Sequence, residues 1–190
     1  LKEMPAQFFL RFFHNHGMLS VKDRPVWRVI RGGSQRYVER LVAGHRDRIR
    51  LNTPVRAIRR LPHGVEIRTD EGGPELFDQV FIASHSDQAL SMLTDATPLE
   101  REVLGAIPYQ ENEAVLHTDE SVLPRRKLAW AAWNYHLLAH EQDRVALTYN
   151  MNILQSLDAP VQFCVTLNNT GAIDPNKIIR MISYDQPILT

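Results

Sequence analysis

Alternation of apolar and polar residues is the clearest structural signal in this chain, and it is concentrated in one stretch. Residues 55–60 and 65–69 alternate as half-buried β-strands do, and glycine-containing turns follow each segment. The continuous apolar run at residues 80–83 predicts a third, buried strand. Polar residues after that run are suited to cap a helix over residues 88–93. We therefore expect a three-stranded meander that ends in a helix.

Other segments show weaker patterns. Apolar residues at helical spacing predict helices, and apolar runs between turn residues predict strands. The strands predicted after residue 93 follow one another closely, which favours an antiparallel sheet. The predicted helices cover residues 34–43, 99–106 and 152–157, and the predicted strands cover residues 114–117, 128–135, 144–149 and 161–167.

Phenylalanines are dense near the start of the chain, at Phe8, Phe9, Phe12 and Phe13. Their spacing predicts an amphipathic helix with a wide apolar face. One interpretation is that this face packs against another domain. The other is that it forms a wall of an apolar substrate tunnel or a surface in peripheral contact with a membrane or lipid.

Composition indicates a folded protein with no global preference for a charged partner. Of 190 residues, 44% are hydrophobic and 23% are charged, and 22 basic residues balance 22 acidic ones. We therefore predict no nucleic-acid partner. The single cysteine, Cys164, excludes an internal disulfide and fits a reducing compartment, so the cytoplasm is the predicted location. No apolar run of membrane-spanning length occurs.

Histidine and serine patterns do not support a metal site or a hydrolase. His14 and His16 would point to opposite sides of a helix, while His136 and His140 fall in a predicted strand end and loop. Ser84 follows an apolar strand but lacks the flanking glycines of a nucleophile elbow. We predict no metal ligand among these residues.

The meander at residues 49–83, preceded by Gly32-Gly33 and a predicted helix, resembles flavin-dependent amine oxidases and their phytoene-desaturase-like relatives. Residues 12–19, 130–135 and 148–155 are similar, more narrowly, to a bacterial branch described as predicted NAD/FAD-binding oxidoreductases. The segment with this Gly-Gly turn and helix runs from Trp27 to Leu41.

This resemblance implies an α/β fold, which is α+β within this chain. It assigns residues 26–93 to a meander and helix associated with the FAD-binding domain. It assigns residues 1–25 to a helical segment on the substrate side, and residues 94–190 to an antiparallel substrate-domain sheet with short helices.

The resemblance also implies which residues lie near the cofactor, FAD. Val55 corresponds to the position whose main chain meets the adenine edge, and Arg56 follows it near the adenine or its ribose. Ala83 and Ser84 correspond to the strand end near the adenosine and diphosphate. From the residues alone, Val55 is equally a core valine and Ser84 equally a helix cap.

Aromatic residues are the candidates for a substrate wall, and no catalytic residue is assigned. Flavin enzymes need a water-poor pocket, which aromatic walls provide, although the same residues suit an ordinary core. The candidates for lining the substrate are Trp130, Trp133, Tyr135 and Tyr149.

The sequence contains no G-x-G-x-x-G, so the unit that binds the pyrophosphate is expected outside it, as is a C-terminal closing segment. We expect the chain alone to be inactive and to self-associate. The predicted parent is an FAD-dependent oxidoreductase that oxidises a C–N or C–C bond of an apolar or amine small molecule. The alternative is a non-catalytic lipid-binding or interaction module.

Overall fold

A computed structural model describes residues 5–23, 25–26, 28–138 and 144–188. These residues form two compact units. The sheet unit contains the described residues up to Leu41 together with Gln110–Gln186, and the meander unit contains Val42–Tyr109 with the described residues from Pro187 onward. The domain boundaries proposed at residues 25 and 93 stay predictions. Trp27 and His140 lie outside the described residues.

Helices and strands alternate irregularly along the chain, as in other α+β proteins. Short 3-10 turns at Arg46–Arg48, Glu120–Val122, Lys127–Ala129, Thr170–Ala172 and Pro175–Lys177 connect several of them. The helices are α1 (Ala6–Asn15), α2 (Gln35–Val42), α3 (Ser86–Met92), α4 (Pro98–Gly105) and α5 (Met151–Gln155), and the strands are β1 (Val55–Leu61), β2 (Gly64–Thr69), β3 (Glu75–Phe77), β4 (Tyr109–His117), β5 (Trp133–Tyr135), β6 (Leu147–Asn150), β7 (Cys164–Leu167) and β8 (Ile178–Pro187).

The meander unit is built on an antiparallel sheet in the order β1-β2-β3. The predicted hairpin between β1 and β2 is confirmed, with Leu61 paired to Gly64 across a two-residue loop. Gly64 has φ +148°, and a Cβ atom there would lie 2.6 Å from the carbonyl oxygen of Phe77 on β3. Only glycine fits this point, because the neighbouring backbone occupies the space of a side chain.

The third strand of the meander lies elsewhere than predicted. Residues 80–83 are outside every described strand, and Phe81 is 92% exposed. The strand is instead Glu75–Phe77, and Phe77 pairs with Val65 at the beginning of β2. Continuing that register places residues 79 and 80 level with the β1–β2 loop, so residues 80–83 run past the end of β2 and have no strand to pair with.

Helix α4 begins with a capping box. The Thr97 hydroxyl accepts a hydrogen bond from the Glu100 N–H at 3.2 Å, and a Glu100 carboxylate oxygen accepts one from the Thr97 N–H at 2.8 Å. Helix α3 packs against α4 and β1. Arg60 on β1 pairs with Glu100 at 2.5 Å, so the strand and α4 are also joined through side chains.

The sheet unit is organised by strands in the order β5-β6-β7-β4-β8. The pairs β5–β6, β6–β7 and β4–β7 are antiparallel, with Thr148 opposite Thr166 and Asn134 opposite Thr148. Side chains on one face are buried, including Val115 and Cys164, both 0% exposed. The predicted antiparallel sheet is therefore confirmed.

Some boundaries in this unit differ from the sequence pattern. The strand predicted over residues 128–135 is confined to Trp133–Tyr135, because residues 127–129 form a 3-10 turn. Strand β8 has no counterpart in the prediction, although it is the longest described strand and lies beside β4.

The predicted phenylalanine helix is present as α1. The Phe9 and Phe13 rings contact each other at a tilt of 34° with their centroids 4.4 Å apart, and Phe12 contacts Phe13 edge-on at 5.9 Å. Phe8 is 50% exposed and Phe12 is 43% exposed, so the described structure leaves much of this apolar face uncovered.

Candidate functional site

Val55 begins β1 at a point where the sheet ladder is irregular. Val55 pairs with Thr69 and Ala57 pairs with Arg68, so a β-bulge leaves Arg56 as the additional residue. The outer edge of β1 is occupied farther along, where the Ile58 carbonyl accepts a hydrogen bond from the Thr94 N–H at 3.0 Å. Near Val55, no other described segment bonds to this edge, which leaves main-chain groups accessible to a ligand.

The Arg56 side chain is already paired. Its Nε and Nη2 atoms donate to the two carboxylate oxygens of Asp70, each at 2.6 Å. The hydrogen bond from Arg56 lowers the pKa of Asp70 below its usual value. The structure therefore presents Arg56 as an exposed ion pair, with its guanidinium directed to Asp70.

Ala83 and Ser84 lie at the corner before α3, and both are exposed. His85 follows them and stacks on the Tyr109 ring, with the centroids 4.7 Å apart and the planes 18° apart. The Tyr109 hydroxyl accepts a hydrogen bond from the Ser86 N–H at 2.8 Å, which fixes the start of the helix. The corner is consequently held in place by a side chain at the beginning of β4.

The Nδ1 atom of His85 is buried and has no hydrogen-bond partner among the described residues. A buried polar atom of this kind is rare in folded proteins and calls for a partner. That nitrogen is therefore available to a ligand at this corner. His85 is not among the residues named from the sequence, although it directly follows Ala83 and Ser84.

The aromatic candidates are only partly brought together. Trp133 on β5 and Tyr149 on β6 are paired in register and meet edge-on, with centroids 5.7 Å apart. Tyr135 shares the Trp133 face of β5 because side chains alternate along a strand. Trp130 lies outside the strand, and its indole N–H donates to the Pro124 carbonyl at 2.7 Å.

A cavity of about 540 Å³ lies beside Trp133 within the sheet unit. We call it the Trp133 cavity. Its volume is in the range of about 300 to 1,000 Å³ typical of small-molecule sites. The lining is mainly apolar and consists of Met18, Arg28, Val29, Ala132, Trp133, Ile153, Leu154 and Ser156.

A chain of hydrogen bonds crosses the buried face of the same sheet. The Asp119 N–H donates to His117 Nδ1 at 3.1 Å, so the proton of the neutral His117 ring is on Nε2. His117 Nε2 lies 2.7 Å from Thr166 Oγ1, which lies 2.8 Å from Thr148 Oγ1. Thr148 Oγ1 is 2.7 Å from His136 Nε2. The sequence analysis does not predict this series of hydrogen bonds.

Burial disfavours the protonated, charged form of both histidine rings in this series of hydrogen bonds. Burial lowers the pKa of His117, and the nearby Asp119 charge opposes that effect only in part. Burial also lowers the pKa of His136. Burial alone would raise the pKa of Asp119, but hydrogen bonds from the Asp174 and Ser121 N–H groups and from Lys177 hold it well below its usual range.

No group of three or more histidine, cysteine or acidic side chains is arranged to hold a metal ion in the described ranges. Cys164 is a free, fully buried thiol. Among the described helices, none is long and apolar enough to cross a membrane.

Comparison with known proteins places the chain in a family. Curated proteins give no match. Among solved structures, the chain is similar to a CLA-producing fatty acid isomerase from P. acnes, with 16% identity and a TM-score of 0.47. The similar region covers 83% of this chain and 39% of that chain, so this chain spans less than half of that protein's length. The family described as flavin containing amine oxidoreductase matches residues 7–164, and the chain belongs to that family.

Proposed function

We propose that this chain is part of an FAD-dependent oxidoreductase that oxidises a C–N or C–C bond of an apolar or amine small molecule. Membership of the flavin-containing family implies FAD in the full-length protein. The observation that carries the proposal is the accessible edge of β1 at Val55. That is the position at which the resemblance places the adenine.

In this proposal, the meander unit holds the adenosine side of the cofactor. The main chain of Val55 supplies the directional hydrogen bonds, which requires no particular side chain. Small side chains at Ala83 and Ser84 allow the backbone to approach closely. His85 offers a ring nitrogen that has no described protein partner. The Arg56 side chain remains hydrogen-bonded to Asp70, so it holds the start of β1 in place and does not contact the cofactor.

The substrate in this proposal is bound by the sheet unit. When bound, FAD accepts the hydride that the substrate loses. The apolar residues of the Trp133 cavity exclude water and orient an apolar group, and Tyr149 supports the Trp133 ring from the neighbouring strand. Lipid or isoprenoid desaturation and amine oxidation are both compatible with such a wall.

Composition and two features of the structure support the proposed partners and location. The balance of 22 basic and 22 acidic residues supports the proposal that nucleic acid is not a partner. The exposed apolar face of α1 supports a peripheral contact with lipid. The free, buried Cys164 is compatible with the proposed cytoplasmic location, where thiols stay reduced.

The decisive experiment is to purify the full-length protein and record its visible absorption spectrum before and after adding FAD. Flavin absorbance that stays with the protein through gel filtration is the expected result. A protein that remains colourless after FAD is added contradicts the proposal. That outcome favours a non-catalytic lipid-binding module, because the Trp133 cavity is formed entirely within the sheet unit.

A second measurement concerns the chain alone, which we propose is inactive. Its sequence has no G-x-G-x-x-G, and pyrophosphate binding in such enzymes depends on the helix that follows this motif. A fluorescence titration of residues 1–190 should therefore show no retention of FAD at micromolar concentration. Micromolar affinity would contradict this part of the proposal.

A further inference from the structure

The Trp133 cavity has a strongly asymmetric chemistry. Val29, Ile153 and Leu154 offer only hydrocarbon, and Trp133 adds an aromatic face. Arg28 is the one charged side chain in the described lining. The cavity thus combines an apolar body with a single cationic point.

The Arg28 guanidinium is not neutralised by a described carboxylate. Asp23 lines a neighbouring cavity together with Arg28, but no ion pair joins the two residues among the described contacts. By contrast, the arginines of β1 are paired, Arg56 with Asp70 and Arg59 with Glu66. Arg28 therefore has donors available for a ligand.

We infer that the Trp133 cavity binds an amphiphile with an apolar chain and one anionic head, whose head is held by Arg28. The guanidinium fork matches the oxygens of a carboxylate or a phosphate monoester. A ligand with an ammonium head is repelled by the same arginine.

This inference depends on the proposed function only for the statement that the bound amphiphile is the molecule oxidised. Binding itself requires the sheet unit alone. An anionic substrate would set this protein apart from family members that oxidise amines, because the charge next to the apolar wall has the wrong sign for an ammonium group.

The test is equilibrium dialysis of the full-length protein, with and without flavin, against four ten-carbon probes below their micellar concentrations. The probes are decanoate, decyl phosphate, decylamine and decanol. Decanoate or decyl phosphate should bind at least about tenfold more tightly than decylamine, and the tighter anion identifies the head group. Decylamine binding that equals or exceeds both anions overturns the inference.

Variants separate the charge from the apolar wall. Arg28→Gln should weaken binding of the anions about tenfold and leave decanol unchanged, and Arg28→Lys should restore part of the loss. Arg31→Gln is the matched control, because Arg31 is exposed and outside the lining. Ala132→Trp should reduce binding of all probes by filling the cavity.

Unchanged anion affinity in Arg28→Gln, or no binding of any probe to the wild-type protein, also overturns the inference. Neither result bears on whether the protein holds flavin, which the absorption spectrum reports. Failure of this inference and failure of the proposed function are therefore distinguished.

Discussion

The hydroxyl oxygens of Thr148 and Thr166 lie 2.8 Å apart on neighbouring strands, and both side chains are fully buried. The hydrogen bond from the Asp119 N–H to His117 determines which atom donates at each step of the series of hydrogen bonds that contains these two hydroxyls. Because His117 Nδ1 accepts from the Asp119 N–H, His117 Nε2 donates to Thr166, Thr166 donates to Thr148, and Thr148 donates to His136 Nε2. Every proton between these side chains has an acceptor only when both imidazoles are neutral.

The first prediction concerns the free energy of unfolding. Thr148→Val leaves the Thr166 O–H without its acceptor and His136 Nε2 without its donor, so it should cost about 1–3 kcal/mol. Thr166→Val leaves the His117 Nε2–H unpaired and should cost a similar amount. The double variant also removes the Thr166 O–H that Thr148→Val leaves unpaired, so its cost should be about 1 kcal/mol less than the sum of the two single costs.

Urea unfolding of the three variants measures these free energies. Thr148→Ser is the control, because it keeps the hydroxyl and should be more stable than Thr148→Val. Strict additivity would show that the two hydroxyls are not coupled, and equal stability of the valine and serine variants would show that the Thr148 hydroxyl contributes nothing.

The second prediction is a loss of stability in mild acid. The pKa values of His117 and His136 in the folded protein are lower than the usual 6.5, so the unfolded chain binds protons first as the pH falls. The contribution of the neutral rings to the free energy of unfolding is fully present above pH 6.5. It is lost as the pH falls from there through the pKa values of the folded protein. Because of His117, the free energy of unfolding falls by at most about 1.4 kcal/mol for each unit by which the pH is lowered.

Urea midpoints measured between neutral pH and about pH 5 test this slope, since carboxylates titrate mainly at lower pH. His117→Gln should flatten the dependence even though it lowers stability at neutral pH. His63→Gln, in the exposed β1–β2 loop, is the matched control for replacing a histidine by glutamine. A wild-type slope of zero would mean that neither ring is held neutral.

Sequence patterns foretold the parts of this fold that depend on local information. The β1–β2 hairpin combines alternation with a short turn, and the turn fixes the register between Leu61 and Gly64. The predicted position of the third strand is wrong because that position depends on where β2 ends. No property of residues 80–83 encodes the end of β2. The apolar composition of this run indicates burial, whereas Phe81 is 92% exposed.

The sheet unit shows a different limit of pattern reasoning. Alternation in β6 correctly places Leu147 and Tyr149 on one face and Thr148 and Asn150 on the other. A pattern of this kind favours burial of the apolar face. The structure instead buries Thr148 and Asn150 completely. Hydrogen-bonding partners on other strands make that possible, and one strand's sequence does not reveal them.

The candidate cofactor site was accessible to sequence reasoning only through resemblance. A main-chain contact at Val55 leaves no signature in the side chain. His85 and Arg28 stand out only once their surroundings are known, because an unpartnered nitrogen and an unpaired guanidinium are properties of the folded environment.

The third prediction is that Cys164 is chemically inert in the native protein. Burial raises the pKa of its thiol to about 11, and the charges of Glu120 and Asp119 add to the effect. Thiolate is the reactive form, so a disulfide reagent at neutral pH should release no chromophore from native protein and one equivalent after denaturation. Rapid reaction of the native protein would contradict the buried placement of Cys164.

The fourth prediction tests the role assigned to the main chain of Val55. In the full-length protein, Val55→Pro removes one N–H and should lower the flavin content of the purified protein. Val55→Ala keeps that N–H and should retain the flavin. Circular dichroism confirms that both variants fold. Full flavin occupancy in a folded proline variant would exclude an essential adenine contact from this amide.

The fifth prediction concerns the uncovered apolar surface of the chain. Phe8 and Phe12 lie one turn apart on α1 and are 50% and 43% exposed, and Phe81 is 92% exposed in the meander unit. Soluble monomers rarely leave apolar patches larger than about 300 to 600 Å² uncovered, so the chain should self-associate as its concentration rises. Light scattering should show an average mass that increases with concentration.

Phe8→Glu/Phe12→Glu should shift that increase to higher concentration, whereas Gln7→Glu, which adds charge on the same exposed helix, should have little effect. A wild-type chain that remains monomeric at high concentration would show that these phenylalanines do not drive association, and the proposed contact of α1 with lipid would then lose its main support.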